Sequence, residues 1–176
     1  SGSKNMYLLH SYPPKVSTIL NSWVSAAFKM GISMDYYMTV HVGLEKEKLD
    51  PENLRKHVEI NGCGSVISFV GYTRPHYQKK LVKRLEFESW DSKLVDILEE
   101  LANQAIEQFE VISVCIVHRT GIVKPQEPIV CIHVGSAHRK EGFLACSWLI
   151  SELKKQAPIW KKEVREDGEF WKDGLG

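Results

Sequence analysis

The sequence predicts an α+β fold, and three observations carry that reading. Strand-like runs come in pairs instead of alternating strictly with helices, two long segments have the spacing of amphipathic helices that need a sheet to cover, and the 176-residue length suits one core. Hydrophobic residues make up 43% of the chain and charged residues 26%, with 12 glycines and 7 prolines. That is the composition of a globular domain, not of a disordered or low-complexity chain.

In chain order, Ser1-Gly2-Ser3 reads as a cloning remnant. No acidic residue falls between Lys4 and Met34, a feature shared with organellar transit peptides, but the segment has no arginine. Ile19, Leu20, Trp23, Val24, Ala27 and Phe28 recur at helical spacing ahead of Gly31, so residues 15–30 are read as a packed helix. Tyr36 to Val42 alternates as a strand. Asp50-Pro51-Glu52 opens a short helix with a cap, a first-turn proline and an acidic first turn. Asn61 to Gly64 is a turn, Ser65 to Gly71 a buried strand, Arg74 to Lys80 a basic loop, and Val82 to Ser89 an alternating strand. The last three are expected to form one hairpin with a long tip. Ser92 to Phe109, with apolar residues at 94, 98, 101, 105 and 109, is a long amphipathic helix. Val111 to His118 and Pro128 to Ser136 form a second antiparallel hairpin, and Phe143 to Lys155 a last helix stopped by Pro158.

The 23 basic and 22 acidic residues nearly cancel to +1, so bulk charge gives no grip on nucleic acid. Neither the basic loop Arg74 to Arg84 nor Trp148, Trp160 and Trp171 builds an interleaved basic and aromatic stripe. Cys63, Cys115, Cys131 and Cys146 stand far apart with no metal-binding spacing, and Cys115 and Cys131 lie in apolar runs. They are read as reduced, buried thiols, with no zinc and no other metal expected. The longest apolar stretches fall well short of the roughly 18–20 residues that span a bilayer. No membrane anchor is expected, and the cytosol is the expected compartment. Nucleotide and serine-hydrolase signatures are absent, and Glu86 and Glu88, alternating along a strand, read as a solvent face.

The informative residues are cations at element ends. Arg74 follows a strand, His138 and Arg139 follow another, Lys154 closes the last helix, and Lys161 lies just past Pro158. No acidic residue stands four positions after any of them, so helical ion pairing does not account for the set. Converging cations suit an anionic ligand, and a lysine crowded by other cations loses its proton more readily. His118 is held in reserve as a structural histidine closing a strand.

The run Lys154-Lys155-Gln156-Ala157-Pro158-Ile159-Trp160-Lys161-Lys162-Glu163 closely resembles the signature of the large, catalytic subunit of molybdopterin synthase. Ser68 to Arg74, Leu85 to Glu88, His118 to Gly121 and Ser136 to Arg139 resemble four further motifs of that family, in the same order, over about residues 36 to 172. The resemblance leaves 1–34 as an N-terminal extension to a domain over 35–176. It implies an α/β hammerhead-like domain with antiparallel strands and an added antiparallel subdomain. It also implies a sulfurtransferase converting cyclic pyranopterin monophosphate to molybdopterin, with no diffusible cofactor. The implied donor is a ubiquitin-like small subunit bearing a C-terminal Gly-Gly thiocarboxylate, and the implied assembly is a heterotetramer built on a homodimer of large subunits. Carried over residue by residue, Lys161 is the expected acid/base or covalent group and Lys154 the residue that positions thiocarboxylate and substrate. Arg74, His138 and Arg139 match the pterin and phosphate pocket, with His138-Arg139 coming across the dimer interface, and Phe69 matches a lining residue. A silent scaffold of the same fold, binding a ubiquitin-like partner, is the alternative, but it would be favoured by loss of either lysine, and both are present. Pro75-His76-Tyr77 departs from the family, where the loop is more polar.

Overall fold

The computed structural model describes residues 10–12 and 38–172. The predicted helix over 15–30 lies outside them. The described residues form two sheets. The larger holds β1 (His10–Tyr12), β2 (Thr39–Glu45), β6 (Ser113–Arg119), β8 (Pro128–Ser136) and β3 (Ser65–Tyr72), adjacent in that order. β2 and β6 run parallel and every other pair is antiparallel. The smaller sheet, all antiparallel, orders β10 (Gly168–Lys172), β9 (Ile159–Arg165), β5 (Lys80–Ser89) and β4 (His76–Tyr77), with β7 (Gly121–Val123) also on β5.

Three helices among the described residues complete the fold. In α1 (Pro51–Arg55) the Asp50 side chain accepts from the Asn53 amide at 3.1 Å and Pro51 takes the first turn, as the sequence predicts. α2 (Asp91–Phe109) buries Leu94, Leu98, Leu101, Ala102, Ala105 and Ile106, the stripe its periodicity announces. α3 (Arg139–Gln156) starts four residues earlier than expected and buries Ala145, Cys146, Leu149 and Leu153. These two long helices share the main core with Val40, Val42, Val114, Ile116, Ile132 and Val134 of the larger sheet. Leu49, Leu54 and Val58 pack with Cys115, Val117 and Cys131 in a second cluster. All four cysteines are free thiols. No described helix is long and apolar enough to cross a membrane.

The structure corrects the sequence reading in three places. The strands over 65–72 and 80–89 do not pair with each other: β3 pairs with β8 at the edge of the larger sheet, while β5 is taken into the smaller one. Sequence neighbours usually pair, but here the stretch 73–79 crosses between sheets. That stretch is not all loop, because His76 and Tyr77 pair with Leu81 and Lys80 around Gln78 and Lys79. Both of those have positive φ, 46° and 67°, as a tight hairpin turn demands. The third correction is the unforeseen β9–β10 hairpin.

Gly64 hydrogen-bonds through its amide to the Ser136 carbonyl at 2.9 Å, and a methyl group there would drive into the Ala137 carbonyl oxygen. Because the obstacle is backbone, Gly64→Ala is expected to cost about 2–3 kcal/mol, read as a lower urea midpoint at unchanged slope.

Candidate active site

The site forms where the two sheets face each other. The Ser68-Phe69-Val70 stretch of β3 runs out through Tyr72 into Arg74, and α3 ends beside it at Lys154. β9 then passes under both, carrying Lys161 and Glu163. Together they enclose a cavity of about 540 Å³ lined by Phe69, Arg74, His76, Tyr77, Lys154, Lys161 and Glu163 among others, over an apolar floor of Leu85, Ile129, Val130 and Ile150. Arg74 and Lys154 are exposed, whereas Lys161 is half-buried. Lys161 lies between Phe87 of β5 and Lys172 of β10 in the strand register. A narrower recess adjoins the cavity at Lys154 and Lys161, walled by Phe87, His118 and Leu153.

Burial pushes the Lys161 ammonium below its ordinary pKa. Glu163 opposes that shift, and Arg74, Lys154 and Lys172 add to it. Glu163 is the one carboxylate among the cavity's lining residues, buried and already 3.7 Å from the guanidinium of Arg165. Lys154, in the last turn of α3, has no carboxylate partner among the described residues, while its neighbour Lys155 is paired with Glu152 at 2.7 Å. The cavity therefore carries an excess of positive charge in a partly desolvated setting, where an anion gains most from it.

Of the six residues singled out by sequence, Phe69, Arg74, Lys154 and Lys161 meet in this cavity. His138 and Arg139 do not. They lie exposed at the start of α3, about 22 Å along the helix axis from Lys154. His118 is fully buried: its Nδ1 donates to the Arg119 carbonyl at 2.7 Å, its ring packs edge-on against Phe87, and burial lowers its pKa to about 4. Arg119 is structural, bonded to Glu127 at 2.7 Å and to the Ile122 carbonyl at 3.0 Å. Glu86 is held by Lys162 at 2.7 Å and Arg84 at 2.7 Å and lines no part of the cavity. Trp148 packs on Phe109, while Trp160 and Trp171 are exposed and line no part of it either.

Sequence reasoning missed Glu163 and Tyr77, which line the cavity, and Lys172, which faces Lys161 from β10 and sits over the Tyr77 ring without lining it. Glu163 could have been found from its alternation with Lys161 along a strand. Tyr77 and Lys172 carry no signal of their own, because each depends on a hairpin the sequence reading did not resolve.

The profile of the MoaE protein family matches residues 44–156. Among proteins of known role, the chain is 36% identical over 128 residues to the molybdopterin synthase catalytic subunit of Bacillus subtilis, covering 73% of this chain and 82% of that one. It is 33% identical over 117 residues to that of Pyrococcus abyssi, covering 66% and 79%, and 32% identical over 131 residues to the human one, covering 74% and 70%. The crystal structure of molybdopterin synthase from Staphylococcus aureus superposes with a TM-score of 0.70 at 30% identity, over 74% of this chain and 95% of that chain. A complex of subunits 1 and 2 of the molybdopterin-converting factor from Helicobacter pylori, at 19% identity and a TM-score of 0.62, shares the fold. With the profile spanning most of the chain and the Bacillus subtilis relative matched over more than four fifths of its length, this chain belongs to the MoaE family of molybdopterin synthase catalytic subunits.

Proposed function

We propose that this chain transfers sulfur from the C-terminal thiocarboxylate of a ubiquitin-like small subunit to cyclic pyranopterin monophosphate, making the dithiolene of molybdopterin. The observation that carries the reading is the meeting of Lys154, Lys161 and Arg74, drawn from three separate elements, in one cavity with a single carboxylate. Both reactants are anionic, one through its cyclic phosphate and the other through its thiocarboxylate. Fixed cations in a water-poor cleft hold both and stabilise charge as it moves. Each transfer forms a carbon–sulfur bond on the pterin side chain as a carbon–oxygen bond there breaks, the oxygen leaving with the opening cyclic phosphate at one carbon and as water at the other, and the donor's acyl–sulfur bond is hydrolysed. Water supplies the oxygen that leaves the donor as an ordinary carboxylate.

Lys161, half-buried and with its proton loosened, is assigned the acid/base or covalent role. Lys154, more exposed and unpaired, positions the thiocarboxylate, and Arg74 offers a planar fork to phosphate. Phe69 walls the cavity. His138 and Arg139 are assigned to the cavity of a second copy, across a dimer interface. Phe143 and Leu144, exposed beside them at 60% and 49%, support a buried surface there. The working assembly is then a homodimer with one small subunit on each copy, in the cytosol.

Mixing the chain with thiocarboxylated small subunit and cyclic pyranopterin monophosphate is expected to yield the dithiolene, read as its oxidised fluorescent derivative. A stable complex without product would support a silent scaffold instead, and no complex at all would overturn the partner assignment.

A further inference from the structure

Lys172 is half-buried at the end of β10, directly opposite Lys161 in the strand register. Like charges facing each other across two strands repel, so a structural role for Lys172 would call for a nearby carboxylate. None is paired with it among the described residues. The neighbouring acids are engaged elsewhere, Glu163 and Asp167 with Arg165 at 3.7 and 3.2 Å, and Glu86 and Glu169 with Lys162 at 2.7 and 3.2 Å. Its ammonium sits instead 4.3 Å over the ring of Tyr77, a residue that lines the cavity. Arg165 takes the same ring at 5.0 Å and the Phe170 ring at 3.7 Å. Tyr77 is brought there by the two-residue turn at Gln78 and Lys79, whose left-handed backbone is uncommon for such residues and holds only where the surroundings fix it. The ring gives Lys172 a partner that restrains its position without neutralising its charge.

We propose that Lys172, seated on the Tyr77 ring, is a fourth cation of the cavity and binds an anionic group of the incoming reactants, with Tyr77 as the positioning residue that aims it. This rests on the sulfur-transfer reading and deepens it. Two anions qualify, the phosphate of the pterin and the thiocarboxylate of the tail, and both offer oxygen or sulfur atoms to an ammonium donor. Around Lys161, the facing charges are Arg74 after β3, Lys154 of α3, Glu163 of β9 and Lys172 of β10, with neutral His118 of β6 below. Removing Lys172 takes away one of the repulsions that help Lys161 lose its proton.

The test uses the reconstituted enzyme with Lys172→Met, Lys172→Arg, Tyr77→Leu and Tyr77→Phe. Lys172→Met is expected to raise one KM about tenfold with kcat changed less than about twofold. A rise for the pterin assigns the phosphate and a rise for the small subunit assigns the thiocarboxylate. Lys172→Arg and Tyr77→Phe, which keep charge and ring, are expected to stay near wild type. Tyr77→Leu is expected to reproduce the Lys172→Met defect, and the double variant to be no worse than either. The limb of the pH–rate profile belonging to Lys161 is expected to move to higher pH in Lys172→Met, which a purely structural lysine would not cause. Unchanged KM values for both reactants together with an unmoved pH profile would overturn the proposal. Should Tyr77→Leu unfold, Lys172→Met and Tyr77→Phe still decide. Should the wild-type enzyme make no product, the sulfur-transfer reading fails by itself. Inorganic pyrophosphate titrated into the chain alone then tests Lys172: at least threefold weaker binding by Lys172→Met supports the role, and equal binding overturns it.

Discussion

Lys161→Ala is expected to remove at least about three orders of magnitude of product formation while leaving the complex with the small subunit intact. The side chain sits in the partly desolvated part of the cavity, where burial, aided by Arg74, Lys154 and Lys172, weakens its hold on a proton. Alanine there removes the amine whose hold on its proton burial weakens, but it removes no core contact and relieves a desolvation cost, so folding is preserved. Lys161→Arg separates the roles further. It keeps the positive charge but cannot deprotonate, so turnover is expected to stay lost, whereas Lys154→Arg is expected to keep a measurable part of it. Gel filtration of each variant with the small subunit checks binding, and the fluorescent derivative checks turnover. Near-normal turnover in Lys161→Ala would strike it from the reacting groups.

The second large effect is on stability in mild acid. His41 is buried in β2, stacked on His57 with ring centroids 3.9 Å apart and planes 8° from parallel, and its Nε2 has no hydrogen-bond partner among the described residues. Burial first, and His57 second, lower its pKa to about 4, and burial lowers that of His118 to about 4. The unfolded chain binds these protons near pH 6.5 and the folded chain does not. Stability is therefore fully present above that pH and is lost as the pH falls from 6.5 toward 4. Each histidine contributes on the order of 3 kcal/mol to that loss, which together is comparable to the whole stability of many domains. His133, bonded to Ser68 at 2.8 Å and also held below its ordinary pKa, works in the same direction. Urea unfolding at pH 7 and pH 4.5 is expected to show this steep fall, with the slope reduced by about 1.4 kcal/mol per pH unit in His41→Leu. A flat profile in the wild type would remove the buried histidines as its cause.

Elements whose apolar pattern agrees with their burial were legible in the sequence: α2 with its stripe, α1 with its cap and proline, and β6 with β8 as β-branched runs. β9 was not. Its sequence Ile159 to Arg165 is charged at four of seven positions, and its buried Glu163 and Arg165 read as solvent-facing until a partner strand and a cavity are known. The Asp167-Gly168 pair that ends it is a hairpin signal of the expected kind, but with no apolar alternation beside it the signal is weak. The same logic divides the site. Arg74, Lys154 and Lys161 were visible as cations without local partners, while Tyr77 and Lys172 acquire meaning only when β4 and β10 are paired.

The pairing of β9 with β5 also fixes when activity can arise during biogenesis. Ser89 meets Ile159 and Val82 meets Arg165, so the strand that carries Lys161 finds its neighbour only after about seventy intervening residues have been made, a contact of high order that closes slowly. The larger sheet and its two long helices can assemble from the chain up to Gln156, the stretch where the family profile also stops. A nascent chain at that stage would have a folded body and Lys154, but not Lys161, the lysine proposed to react. Competence for sulfur transfer thus waits until β9 has been made, and chains that stop before it are not expected to consume the thiocarboxylated donor.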